Sequence, residues 1–238
     1  MIGSVLCNFA GMKKEEYQHF REQLGKDVTL VAVSKLQPVE SISRLYSYGH
    51  RDFGENYVQE LIEKQLLLPS DINWHFIGHL QSNKIKYIVP FIHLIQSVDS
   101  FKLLMEIDRQ GKKINRKINC LLQVHVASEE TKFGLHDDEL EEMVTGITRA
   151  AEMNEMNNVM IAGLMGMASL TDDEEKIRSE LKYLYSLYDK YSSIQTSNFR
   201  FRHLSMGMSA DYKIAIGEGS NMVRVGSLVF GERKQSSV

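Results

Sequence analysis

Apolar and polar positions alternate along this chain in a repeating two-part rhythm. The run VTLVAVS (28–34) is β-branched and apolar on both alternating sets, the pattern of a short strand buried on both faces. A helical pattern over about 12–24 precedes it. Pro38 falls where a first helical turn would begin, and ESISRLYSYG carries Ile42, Leu45 and Tyr46 at helical spacing up to Gly49, a natural stop. The same alternation recurs as DFGEN with VQELIEKQLLL, NWHFIGH with SNKIKYIV, and HLIQSV with SFKLLMEIDRQ. It continues as INCLLQVHVA with DDELEEMVTGITRAAEM, VMIAGLMG with DDEEKIRSELKYLYSLYDKY, FRHLSMG with SADYKIAIG, and finally NMVRVGSLVFG. Strands separated by helices run parallel. Eight such units in 238 residues predict an α/β fold, a single (β/α)8 TIM barrel over 1–238 preceded by an N-terminal helix, with an open doubly wound sheet as the alternative.

Composition changes this picture little. The chain is 43% hydrophobic and 25% charged, as expected of a globular protein with a large core. Its 28 basic and 31 acidic residues leave a net charge of -3, so bulk electrostatics favour neither nucleic acid nor an anionic membrane, and any anion must be bound locally. Two cysteines far apart, Cys7 and Cys120, argue against a disulfide framework. The opening lacks a basic region before its apolar stretch and no long apolar run follows, so the expected location is the cytoplasm. Linkers and low-complexity tracts are absent, and only the terminal KQSSV is expected to fray.

In such a barrel the functional site lies at the C-terminal ends of the strands. Reading those ends gives Ser34 and Lys35, Glu55 and Asn56, His79, Ser97, His125, Met165 and Gly166, the stretch 205–209, and the stretch 224–227. Lys35 follows VAVS directly, so it enters the barrel mouth either as a nucleophilic amine or as a snorkelling lysine at a strand end. HLSMGMSADYKIAIGEGS and the residues after the last strand, Gly226 and Ser227, offer backbone N–H groups and hydroxyls suited to a phosphate, or simply tight turns. Arg224 lies in an otherwise apolar strand and must meet either a carboxylate or a ligand acceptor.

Other features read as structural. His75 and His79, four apart in a strand-like segment, make no zinc clamp. The methionines Met160, Met165, Met167, Met206 and Met208 suit core or pocket packing, and TDDEEK reads as a helix N-cap with first-turn carboxylates.

Taken together and in order, VAVSK, DFGENYVQE, WHFIGHLQSNK, SMGMSADY and GSNMVRVG resemble the pyridoxal-phosphate homeostasis protein family over about 28–231. That family consists of barrel proteins similar to the cofactor domain of alanine racemase. The resemblance implies a vitamin B6 cofactor, pyridoxal 5'-phosphate (PLP), held as a Schiff base on Lys35. It further implies that Ser205, Gly226 and Ser227 hold the phosphate and that Arg224 faces the pyridine nitrogen, while Asn56, His79, Met208 and Ser209 border the same mouth. Two positions depart from the pattern. Threonine is frequent in the family where Ser227 stands, and ETKFGL around Lys132 matches loosely, which leaves an auxiliary lysine site in doubt.

A guanidinium only donates, so an unprotonated pyridine nitrogen would make the ring a weak electron sink. The eight units also use the chain, leaving none for the second domain that racemases add. The reading is therefore a non-catalytic monomer that stores, buffers or delivers PLP, with apo PLP enzymes as the implied recipients. An amino-acid racemase using His79 or Tyr212 as base is the alternative, and an unrelated phosphate-binding barrel enzyme is the third reading.

Overall fold

The computed structural model describes residues 11–128 and 133–231. Cys7, Lys132 and the KQSSV tail lie outside the described residues. The chain begins with α1 (Lys14–Leu24), which packs Tyr17, Phe20 and Leu24 inward. There follow β1 (Thr29–Val33), α2 (Val39–Ser47), β2 (Asp52–Glu55), α3 (Val58–Leu67) and β3 (Asn73–Phe76). A 3-10 turn (Ser82–Lys84) runs into α4 (Ile85–Ile88), then β4 (Leu94–Val98), α5 (Phe101–Lys113), β5 (Ile118–Val124) and α6 (Asp137–Glu152). The last units are β6 (Val159–Gly166), α7 (Glu174–Ser192), β7 (Phe199–Ser205), α8 (Tyr212–Gly217), β8 (Met222–Val225) and α9 (Ser227–Phe230). The strands pair in sequence order, all parallel, and β1 closes on β8 through Thr29 with Met222 to Ala32 with Val225. This is the expected (β/α)8 barrel; the open sheet is excluded.

Local chemistry explains most boundaries. Pro38 caps α2, and Gly49 after it takes a φ of +95°, a conformation open to glycine. Asp173 accepts the Lys176 N–H and caps α7, as TDDEEK implies. The crossover after β3 is reduced to one 3-10 turn and one α-turn, because SNKIKYIV holds too few residues for more.

Two cores result. Apolar residues such as Phe53, Trp74, Ile95, Leu122, Leu164 and Val223 fill the space between sheet and helices, whereas Val31, Leu94, Leu121, Ala162, Met165 and Met222 cluster inside the barrel. Cys120 is a buried free thiol whose pKa burial pushes up. Ladder pairing between β7 and β8 joins Ser205 to Met222, backbone bonds from Met206 N to Met222 O, Asn221 N to Leu204 O and Arg224 N to Gly207 O extend it, and side chains reinforce the seam. The Asn221 amide oxygen accepts from Leu204 N at 2.8 Å and its nitrogen donates to Arg202 O at 2.7 Å, while the Ser220 hydroxyl lies 2.8 Å from Met206 O.

Candidate functional site

A pocket of about 500 Å³ opens at the C-terminal ends of β1, β7 and β8. Lys35 and Gln37 reach it from the turn after β1, Met208 and Ser209 from the loop after β7, and Arg224, Gly226 and Ser227 from β8 and the turn beyond. Six of the nine expected site residues thus line one pocket: Lys35, Met208, Ser209, Arg224, Gly226 and Ser227. Gln37 was not anticipated; its polar side chain two residues past Lys35 was the available signal.

The turn carrying Lys35 rests on a buried ionic cluster. Lys64 from α3, only 5% exposed, donates to Ser34 O at 2.6 Å, to the Glu55 carboxylate at 2.7 Å and to the Glu60 carboxylate at 2.7 Å. The Ser34 hydroxyl donates to the same Glu55 oxygen at 2.6 Å, and Leu36 N–H donates to Glu60 at 2.6 Å. Burial raises the Glu55 pKa, opposed by the charge and hydrogen bond of Lys64. Leu36, exposed and bound through its backbone, takes a left-handed φ of +60°. That conformation is unfavourable for a branched side chain, so Glu60 holds the backbone in a reversal that sets where the preceding lysine projects.

On the opposite wall, Arg224 is 4% exposed and its Nη1 donates to both the carbonyl (2.8 Å) and the hydroxyl (2.6 Å) of Ser205. Nη2 donates to Gly166 O at 2.8 Å. These bonds use three of the five guanidinium N–H groups on a residue that also borders the pocket. Burial lowers its pKa to about 10, with Asp211 opposing, so it stays cationic at neutral pH. Among the described residues no carboxylate pairs with it directly, contrary to the carboxylate partner that sequence allowed; backbone carbonyls and a hydroxyl take that place.

The third part of the wall is a turn built for close approach. The Ser209 hydroxyl accepts from Gly226 N–H at 3.2 Å. A Cβ on Gly226 would lie 3.3 Å from Val33 O, so glycine lets the end of β8 settle against β1. Gly207, with φ +94°, turns the chain where a Cβ would meet Ala215 at 2.6 Å. The start of α9 leaves N–H groups without intrahelical acceptors, as every helix start does.

Three expected residues lie elsewhere. Ser205 is fully buried and donates its hydroxyl proton to the Gln96 amide oxygen at 2.7 Å, so it faces the barrel interior and fixes Arg224 in place of holding a phosphate. Its position at a strand end suggested the rim, but its neighbours across the barrel claim it. His79 is exposed, stacks on Phe133 at 4.3 Å and lies 3.4 Å from Asp99, away from the pocket's lining. Asn56 at the end of β2 is half-buried, and its amide oxygen is a buried acceptor without a protein partner. Tyr212, the alternative base, packs edge-on against Phe20 of α1 at 5.6 Å, outside the pocket wall.

A barrel with a lysine at the end of β1 and a cationic, glycine-lined turn after β8 defines the class first. The family model for the alanine racemase N-terminal domain matches residues 13–234. Alanine racemase from Clostridium difficile superimposes with a TM-score of 0.70 at 16% identity, covering 93% of this chain and 57% of its own, a likeness of fold alone. The particular family follows from nearer relatives. A pyridoxal phosphate homeostasis protein from Aquifex aeolicus is 39% identical over 232 residues, 96% of this chain and 98% of its own. The human protein of that name is 36% identical, covering 87% of this chain and 77% of its own. PipY of Synechococcus elongatus, solved with PLP bound, superimposes with a TM-score of 0.81 at 34% identity, covering 92% of this chain and 99% of its own. This chain belongs to the pyridoxal phosphate homeostasis protein family. Among the described residues, no helix is long and apolar enough to cross a membrane.

Proposed function

We propose that this chain binds pyridoxal 5'-phosphate as a Schiff base on Lys35 and acts in intracellular PLP homeostasis as a store, buffer or donor. The observation that carries the reading is the convergence of Lys35, Arg224 and the Gly226–Ser227 turn on one pocket of about 500 Å³. That size suits a compact cofactor, since small-molecule sites run from about 300 to 1,000 Å³. The residues fit the group chemically: an amine for the aldehyde, a fixed donor for the ring nitrogen, and hydroxyls with backbone N–H groups for the phosphate. PLP supplies an aldehyde that condenses reversibly with an amine and releases water.

The protein's own groups do the holding. Lys35 provides the covalent anchor on a turn braced by Lys64 and Glu60. Arg224, locked by Ser205 and Gly166, can only donate, which keeps a facing pyridine nitrogen unprotonated and the ring a weak electron sink. Neither His79 nor Tyr212 is among the groups bordering the pocket, which disfavours the racemase reading. With PLP bound, Lys35 would be the group that an incoming amine replaces, a route by which a carrier would release its cargo to apo PLP enzymes.

Borohydride reduction of the PLP-loaded protein followed by peptide mapping tests this. The adduct is expected on Lys35 and absent in Lys35→Ala, with the fold retained because the side chain is at a strand end. An adduct on another lysine with Lys35 free defeats the assignment. Sustained, Lys35-dependent α-proton exchange of amino acids in deuterated water would replace the carrier by an enzyme.

A further inference from the structure

The barrel interior carries a line of polar side chains that the site description uses only at its end. Asp52 on β2, His75 on β3, Gln96 on β4, Ser205 on β7 and Arg224 on β8 are joined in series. His75 Nε2 lies 3.1 Å from the Asp52 carboxylate, Gln96 Nε2 lies 3.0 Å from His75 Nδ1, and the Ser205 hydroxyl lies 2.7 Å from Gln96 Oε1. Arg224 Nη1 closes the series at 2.6 Å from the same hydroxyl. His75, Gln96, Ser205 and Arg224 are at most 4% exposed, so water does not substitute for these bonds.

The series has one sense of direction. Arg224 can only donate, so Ser205 Oγ accepts from it and must send its own proton to Gln96 Oε1. The Gln96 amide nitrogen then donates to His75 Nδ1, leaving the His75 proton on Nε2, where it meets the Asp52 carboxylate. Reversing the Gln96 amide would require a proton on Nδ1 and, for a neutral ring, set a bare Nε2 against a carboxylate. Gln96 Nε2 also lies 3.3 Å from Met222 Sδ, a weak acceptor, which favours the same orientation. Burial pushes the Asp52 pKa up, but the hydrogen bond from His75 leads the effects that outweigh it and hold the group below the usual range, so the terminal acceptor is charged.

We infer that Asp52, His75, Gln96 and Ser205 are positioning residues for Arg224: an ordered donor chain, anchored on a carboxylate at the opposite end of the barrel, that fixes the orientation of the guanidinium presented to the cofactor ring. This rests on the PLP reading for the identity of the ring, and on the protein alone for the fixing of Arg224. Asp52, His75, Gln96 and Ser205 do not line the pocket, so their effect on a ligand passes through Arg224. A chain polarised in one sense strengthens each of its bonds in a low-dielectric interior.

The test compares wild type with Gln96→Met, which keeps length and removes both links, and Gln96→Glu, which keeps the acceptor for Ser205 and stays joined to Asp52 through a doubly protonated His75 that donates from both ring nitrogens. Asp52→Ala, at the partly exposed end, serves where Gln96→Met does not fold. In cofactor-free protein labelled with 15N-arginine, the Arg224 resonances, assigned by their loss in Arg224→Lys, are expected to show restricted guanidinium rotation in wild type and Gln96→Glu and freer rotation in Gln96→Met and Asp52→Ala. With PLP labelled at the ring nitrogen, Gln96→Met is expected to move the 15N shift and weaken binding about tenfold, equivalent to about 1.4 kcal/mol. Unchanged Arg224 rotation, ring shift and affinity in the folded broken-chain variants overturns the inference. Wild type that takes up no PLP overturns the carrier reading, while the guanidinium measurement still decides this one.

Discussion

The two walls of the pocket bury cations in opposite ways. Under the β1 turn, Lys64 is enclosed by two carboxylates, Glu55 and Glu60, and by Ser34 O, so its charge is met on the spot. On the β8 side, Arg224 is equally buried but sits on two carbonyls and a hydroxyl, with Asp211 acting on its charge through space and no carboxylate bonded to it among the described residues. A locally neutralised cation can only brace structure. A cation held by neutral acceptors keeps its field, and that field points where an anionic ligand would gather. Lys64 thus shapes the site and Arg224 belongs to it.

The largest effect expected from this contrast is that of Lys64→Met. Removing the cation strands Glu55 and Glu60 in a buried position, where breaking one partner of such a pair costs about 3–5 kcal/mol. Urea unfolding is expected to show that loss, whereas Arg224→Met is expected to weaken PLP binding more than it lowers stability. A Lys64→Met protein of unchanged stability would erase the distinction between the walls.

Acid tests the interior behind them. Burial lowers His50 to about 4, opposed by its bond to the Asp52 carbonyl, and burial lowers His203 to about 4. Both bind protons more readily when unfolded, near the ordinary value of about 6.5. Stability from their neutral forms is therefore present above pH ~6.5 and is lost as pH falls toward ~4, with a slope of up to about 1.4 kcal/mol per pH unit for each histidine. Half-buried His203 contributes less than His50. Unfolding midpoints measured from pH 7 to 4 check this, and His50→Gln is expected to flatten the slope.

The smallest effect concerns the cradle. Ser209→Ala removes the acceptor of Gly226 N–H, a neutral bond worth about 0.5–1.5 kcal/mol. A comparable loss of PLP affinity, read by titration of the visible absorbance, is expected with no change in the Lys35 adduct. Unchanged affinity would show that the turn holds itself without Ser209.

The barrel was legible in the sequence because strand and helix periods alternate cleanly, and Lys35 because a lysine ending a doubly buried strand is conspicuous. What could not be read was register. MVRV in β8 is buried throughout, so its pattern does not reveal that Arg224 points toward β6 and β7. Ser205 looked like a rim residue because it ends its strand, yet its partner Gln96 comes from a strand 109 positions away in sequence. The Lys64 cluster left a fainter trace: Glu60 and Lys64 stand four apart on α3, the ordinary spacing of a solvated helix pair, and only Glu55, arriving from β2, draws them into the interior.

The seam between β7 and β8 has a consequence for how this barrel can change over generations. Loops between secondary elements ordinarily absorb insertions and drift freely. Here Ser220 and Asn221, in the link before β8, add side-chain bonds to a short backbone ladder, tying β8 to Arg202, Leu204 and Met206. An inserted residue there would shift β8 against β7 and carry Arg224 away from Ser205. The link is therefore as intolerant of length variation as a strand interior, and grafts or circular permutations of this barrel belong in other loops.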